Sequence, residues 1–359
     1  MTEQRTTPDT TPSDDERPHA RHEPNRSYWD DHGPHLHGPS PDIPAEEAAI
    51  AEREVAVGAE AGLWRDAFHV LRKNPVFIVS ASLITIFVIM AIVPQAFIWF
   101  YPGTHDVNAC SLSLSSNTGS GRPSSEAWFG YDIQGCDYYL RTIYGARASL
   151  AIGTLVTGGA LFIALVFGSI AGYFGRWSDT LISRTTDVWF AIPTLLFAIV
   201  LLSVVDDLPE WMPFLDSQRG IPEVSFVLIL SGWPGMLRLM RASVIANKEL
   251  DYVSASRALG AGNFRIIRKH VIPNSLAPVI VYATIYVGVI ISAEAALSFL
   301  GVGLQLPAIS WGLMINTATQ RIVNIPHLLI FPGLFLSITV LSFILMGDAL
   351  RDALDPKLR

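Results

Sequence analysis

From Val76 onward the chain alternates long uncharged apolar runs with short polar segments. A helix needs about 20 predominantly apolar residues to cross a hydrocarbon core roughly 30 Å thick. Runs that meet this are Val76 to Phe100, Ala148 to Phe174, Val271 to Ala293 and Ile322 to Gly347. Val188 to Val205 is slightly short but adequate. A sixth run, Val224 to Leu237, carries Gly232, Trp233, Pro234 and Gly235 before Arg238 and Arg241. It reads as a span bent at its proline that continues past the arginines as a polar-faced helix. Six such runs have no soluble core to share, so the expected class is an all-α polytopic membrane protein with six transmembrane helices.

Polar positions orient the spans. The segments on the N-terminal side hold most of the basic residues, among them Arg72, Lys73, Arg176, Arg241, Arg268 and Lys269, whereas the opposite side holds only Arg122, Arg141, Arg147, Arg219 and Arg321. Basic residues accumulate on the cytoplasmic side, so both termini are expected there in a multi-pass protein of the cell membrane. Before the first span, GLWRDAFHVLRKNP sets Leu63, Trp64, Ala67, Phe68 and Leu71 on one helical face and reads as an interfacial helix. Residues 1–60 are rich in Pro, Asp, Glu, Thr and His and read as a disordered cytoplasmic tail without a signal peptide. The expected layout is this tail, the interfacial helix over 61–74, a first transmembrane helix over 75–100 and an extracytoplasmic loop over 101–147. A five-helix core over 148–348, with a cytoplasmic loop at 244–274, and a cytoplasmic C-terminus over 349–359 complete it.

Composition sharpens this in two places. Of 359 residues 50% are hydrophobic and only 16% charged, as suits a multi-span protein. The net charge of −7 argues against nucleic acid as a partner, although much of it lies in the tail. The two cysteines, Cys110 and Cys136, share the outer loop; in an oxidising compartment they are either a disulfide or two free thiols, with the disulfide favoured.

Candidate chemistry is sparse. There is no GxxxxGK[ST] phosphate loop, HExxH or CxxC pattern, and no catalytic triad, so neither a catalytic residue nor a metal site is assigned. His32, His35 and His37 read as a solvated tail rather than metal ligands. Ionisable groups inside spans are costly and hence functional candidates. Glu294 is the clearest, either hydrogen-bonded to a neighbouring helix or facing a substrate path; Asp187 reads as a boundary residue paired with Arg184 or a nearby loop. Small residues in the second span, including Gly168 and Gly172 in a GxxxG pattern, read as helix-packing contacts within the chain or across a dimer.

Between the fourth and fifth spans, DYVSASRALGAGNFRIIRKHVIPN reads as two short amphipathic helices around Gly260 to Gly262. Tyr252, Ala255 and Leu259 repeat at helical spacing in the first; Phe264, Ile267 and Val271 share a face in the second. Such short helices need a partner surface, either membrane lipid or, as the small Ser254, Ala255, Ser256 and Ala258 suggest, a protein groove.

The stretch SGWPGMLRLMRASVIANKELDYVSASRALGAGNFRIIRKHVIPN resembles the cytoplasmic loop, with its EAA signature, of permease subunits of binding-protein-dependent ABC importers. The resemblance is strongest to the dipeptide and oligopeptide permeases of DppC/OppC type. LWRDAFHVLRKNP, WFGYDIQGCDYYLRTIYGARASLAIG, EAALSFLGVGLQLPAISWG and MGDALRDALDPKLR agree with the same subfamily, so the likeness runs from Gly62 to Arg359. It implies a type I ABC importer transmembrane fold: one pore-forming half of a heterodimer with a homologous permease, joined by two ATPase subunits or domains and an extracytoplasmic substrate-binding protein. Peptide would be the cargo. ATP and magnesium would be used by the ATPases, with no cofactor bound by this chain.

The resemblance also implies residue roles. Asp251, Tyr252, Ser254, Ala255, Arg257, Leu259 and Gly260 would form the coupling helix seated on an ATPase, with Pro273 ending the second helix before span five. Phe129, Gly130 and Asp132 would meet the cargo or its carrier. Two departures stand out: Ser254 occupies the position of the family's EAA glutamate, leaving Asp251 or Glu249 to supply a charged contact, and Gly135, Cys136, Asp137 replace the family's GRD. The competing readings are a proton-coupled secondary transporter using Glu294, a channel or scaffold, and an importer of nickel or another small solute.

Overall fold

The structure is a computed structural model that describes residues 67–115, 121–204, 220–319 and 321–354; the expected tail and the start of the expected interfacial helix lie outside these residues. Among the described residues the fold is helical, with two isolated bridges, Cys110 to Cys136 and Tyr131 to Asp137. Five helices among these residues are long and apolar enough to cross a membrane, and a bent pair makes a sixth span if counted as one.

Helix α1 (Pro75–Ile92) begins where Asn74 accepts from Val76 N at 2.9 Å and Phe77 N at 3.3 Å. This is a side-chain cap followed by proline at the first helical position. The expected run to Phe100 is interrupted: Val93 leaves the helix, Pro94 follows, and a short turn α2 (Gln95–Ile98) completes the segment. Proline lacks the N–H that would continue the ladder. The carbonyls orphaned by the break are met from outside, because Arg147 donates from Nε to Ala91 O at 2.8 Å and from Nη2 to Ile92 O at 3.4 Å.

Helix α3 (Tyr138–Ile163) starts well before the expected Ala148 and passes through a π turn (Ala164–Gly168) into α4 (Ser169–Phe174). Asp137 caps it, accepting from Tyr139 N at 3.0 Å and Leu140 N at 3.2 Å. The outer loop therefore ends at Asp137 rather than at residue 147. Arg141 and Arg147 do not stop the helix, because one faces Asp132 at 3.1 Å and the other caps α1.

The third expected span is broken. Helices α5 (Arg176–Phe190) and α6 (Thr194–Val204) meet at 84° across Ala191, Ile192 and Pro193. Pro193 supplies the reason, since it removes a backbone donor and biases the residue before it away from the helical region.

Helix α7 (Ile221–Lys248) continues through Pro234 and past Arg238 and Arg241. Arg241 forms two hydrogen bonds with Asp179 of α5, and Arg238 Nη2 lies 2.6 Å from Asp187, so Asp187 pairs with Arg238 and not with Arg184. Gly159 of α3, Gly168 of the π turn and Gly172 of α4 pack on this helix within one chain. A Cβ at Gly172 would stand 2.7 Å from Val244 Cγ1 and 2.9 Å from the Arg241 carbonyl oxygen.

Next come α8 (Asp251–Ala258) and α9 (Asn263–Ile266), the latter running through a π turn (Ile267–Val271) into α10 (Ile272–Phe299). Pro273 was expected to end a helix, yet it stands at the second residue of α10 in a span continuous from Asn263. The widened turn just before it displaces the carbonyls that the proline ring would otherwise meet. Helices α11 (Trp311–Thr319) and α12 (His327–Leu354) complete the chain. The described end of the expected interfacial helix packs on α12: Ala67 and Leu71 are buried with Ala349 and Ala353, while Phe68 faces outward.

Gly172→Val should lower the stability of the detergent-solubilised protein by about 1–3 kcal/mol through overpacking against α7. A lowered thermal unfolding midpoint measures it; an unchanged midpoint would show that α4 and α7 do not approach this closely.

Candidate coupling and transport sites

A hairpin between the fourth and fifth long apolar segments is built from α8, the Gly260 turn and α9. Its inner face is fixed: Val253 and Ile266 are fully buried, Asn274 Nδ2 donates to Tyr252 Oη at 2.9 Å, and Tyr173 Oη donates to Asn263 Oδ1 at 3.1 Å. Gly260 takes φ +82°, a left-handed conformation, with open space around it. The outer face carries Asp251, Ser254, Ala255 and Arg257, and projects Leu259, 72% exposed, and Phe264, 76% exposed, on either side of the turn.

This corrects the expected faces. Tyr252 points inward while Ala255 and Leu259 point outward, because α8 ends at Ala258 and Leu259 lies past the helical stripe. Phe264 and Val271 share a heptad spacing, yet one is exposed and the other fully buried, since the intervening π turn shifts the helical phase.

In the loop before α3, Cys110 and Cys136 are joined in a disulfide. Asp132 Oδ1 accepts from Gln134 N at 2.8 Å and Cys136 N at 2.9 Å, while its Oδ2 faces Arg141. Gly130 takes φ +74°, and a Cβ there would stand 2.4 Å from the Gly121 carbonyl. Phe129 stacks on Phe331 at 3.8 Å and lies against the core. All three expected contact residues are thus engaged inside the chain. Leu112, 75% exposed, and Trp128 stand among the exposed residues of this loop.

Tyr101 donates to the Asp137 carboxylate, a pairing that no spacing in the chain announces. Burial raises the pKa of Asp137 from the ordinary carboxylate value, against the pull of the Tyr101 bond and the two capping N–H groups. Burial first, and then the Asp137 bond, also raise that of Tyr101.

Glu294 is fully buried in α10. Its Oε1 accepts from Ser298 Oγ at 2.8 Å and Ser310 Oγ at 3.0 Å, and its Oε2 from Ser149 Oγ at 3.1 Å. All three partners of Glu294 are serine hydroxyls, from α3, from α10 itself and from the residue before α11. Its helical neighbour Ser298 was legible as an i, i+4 pair, but nothing in the sequence pointed to Ser149 or Ser310.

Residues 164–359 match the family of the binding-protein-dependent transport system inner membrane component. The chain belongs to that family. Residues 62–113 match the N-terminal transmembrane domain of oligopeptide transport permease C. The dipeptide transport system permease protein DppC of Alkalihalophilus pseudofirmus is 39% identical over 332 residues, covering 92% of this chain and 99% of its own. The oligopeptide transport system permease protein OppC of Bacillus subtilis is 36% identical, covering 83% and 90%. The glutathione transport system permease protein GsiD of Pectobacterium atrosepticum is 37% identical, covering 66% and 75%. A chain of the inward-facing MetNI methionine ABC transporter overlaps 59% of this chain and 96% of its own at 21% identity and a TM-score of 0.45, too loose an overlay to assign a conformational state.

As a membrane-embedded permease, the protein should carry its disulfide on the oxidising side. Alkylation of the intact denatured chain should add no mass without reduction and two adducts after it, because both cysteines are bonded. Two adducts before reduction would show free thiols.

Proposed function

We propose that this permease is one half of the pore of an ATP-driven importer of di- or oligopeptides. It pairs with a homologous permease, couples to two cytoplasmic ATPase subunits and receives cargo from an extracytoplasmic binding protein. Both termini and the α8–α9 hairpin lie in the cytoplasm, in keeping with the basic residues on that side. The chain binds no cofactor of its own; ATP and magnesium are used by the partner ATPases.

The observation that carries the reading is the hairpin. Its inner face is locked into the bundle, while Ala255, Leu259 and Phe264 stand exposed on an otherwise polar turn. Exposed apolar side chains on a preformed cytoplasmic element suit an ATPase groove, where differential contact in the nucleotide-bound state biases the transport cycle. Ser254 faces outward with Ala255. The family's acidic contact is therefore replaced here by a hydroxyl at the same surface, with Asp251 and Glu249 exposed nearby.

Peptide cargo follows from the dipeptide, oligopeptide and glutathione systems of the relatives. A nickel or other small-solute importer would share the architecture and differ only in cargo. A proton-coupled transporter acting alone would need Glu294 to exchange protons with water, and its seclusion among serines gives that no support.

Ala255→Trp should leave membrane insertion intact, since the position is exposed, and lower ATP-driven uptake at least about tenfold by blocking the groove. Gly260→Pro should do the same, because proline fixes φ near −65° where the turn needs a positive value. Wild-type uptake in both would remove the docking idea. In proteoliposomes holding the complete complex, a labelled dipeptide should accumulate only with ATP and binding protein; nickel accumulation that dipeptides do not compete for would overturn the peptide assignment.

A further inference from the structure

The segment between α10 and α12 packs back into the helical bundle. Because α10 is continuous from the cytoplasmic hairpin, its far end at Phe299 lies at the opposite face of the membrane. From there the chain turns back into the bundle instead of running over its surface. Leu304, Ala308 and Ser310 are buried, and Trp311, at the start of α11, is fully buried among four spans. The Trp311 indole N–H donates to Thr142 O of α3 at 2.9 Å, and its ring meets Phe87 of α1 at 5.9 Å and Phe335 of α12 at 6.3 Å. Gly312 lies so close to α10 that a Cβ would stand 2.5 Å from Ala295 Cα, and Gly303 is as close to Ser298 N.

Glu294 is where this segment is tied down. Its three hydroxyl donors come from three places: Ser149 on α3, Ser298 on α10 itself and Ser310 at the entry to α11. Two of those serines pass the interaction on. Ser298 Oγ accepts from Leu304 N at 3.1 Å, and Ser310 Oγ accepts from Leu313 N at 3.2 Å, so both arms of the segment hang from hydroxyls that the carboxylate orients. No cation is paired with Glu294 among the described residues. A charge-bearing group placed inside a span at this cost, when an apolar side chain could fill the same space, indicates a role beyond packing.

We infer that Glu294 is the positioning residue of an extracytoplasmic plug, residues 300–319, which it seats against α3 and α10 by accepting from the three serines. Seated, the plug closes the outer side of this permease half; unseated, it opens that side. This rests on the permease reading, but the seat can be read without any cargo.

The chain has two cysteines and both are bonded, so a cysteine at the buried Ala308 would be its single free thiol. In the assembled, nucleotide-free complex, an impermeant maleimide added from outside should modify A308C slowly. Adding Glu294→Met, which keeps the bulk and loses the acceptors, should speed modification at least about tenfold, as loss of buried hydrogen bonds would. Glu294→Gln, which keeps an acceptor oxygen, should return the rate to near that of A308C alone, a rescue that mere space-filling does not predict. Ser310→Ala removes a single hydroxyl and should give an intermediate rate. It decides the matter by the same measurement if the methionine variant fails to assemble. Modification in assembled E294M or S310A complexes at the A308C rate, or E294Q as open as E294M, would overturn the seat. Loss of the peptide assignment alone would leave these rates unchanged.

Discussion

Hydrocarbon offers a peptide group no hydrogen-bond partner, and the backbone of this permease is arranged around that fact. Its spans are helices, and at three of their ends a side chain takes up the loose backbone groups. Asn74 and Asp137 cap the starts of α1 and α3, and Arg147 reaches from α3 to the last carbonyls of α1. The same absence of water removes the hydrophobic drive between helices, so they hold together by contact. Close contact requires small residues: a Cβ at Gly153 would meet Ile291, and one at Gly347 would meet Ile285 at 2.3 Å.

Polar groups are then distributed by depth. Toward the end of the bundle that carries the α8–α9 hairpin, Asp179 with Arg241 and Asp187 with Arg238 bind α5 to α7, and the Arg238 guanidinium sits 4.0 Å above the Phe190 ring. The Arg238 pair is half exposed, so its attraction is screened and it sets orientation more than stability. Deeper in, where no counter-charge is supplied, Glu294 is surrounded by hydroxyls instead.

The apolar runs made the helices of this bundle legible, because their length is imposed by the bilayer rather than by tertiary detail. Their ends were less so. Counting only uncharged residues placed the start of α3 at Ala148, since Arg141 and Arg147 looked like loop residues until the structure showed what each one satisfies. Pro94 and Pro193 did break helices, while Pro234 and Pro273 did not, and a proline's local chemistry cannot tell the two outcomes apart without the neighbouring turns. In the hairpin the existence of two helices followed from periodicity, but the outward face did not, because it depends on where α8 ends and on the phase slip of a π turn. Glu294 announced itself as an acid in an apolar run; its serine partners come from distant positions that no spacing rule connects.

The helix that carries Pro273 without ending there has a mechanical consequence. From Asn263 to Phe299 it runs 37 residues without a loop, a rod of about 55 Å. One end joins the α8–α9 hairpin and the other holds the carboxylate beneath the segment that leads to α11. A rod of that length acts as a lever: tilting it by about 10° around its middle swings its ends roughly 5 Å in opposite directions. Displacement applied on one side of the membrane is therefore delivered to the other by geometry alone.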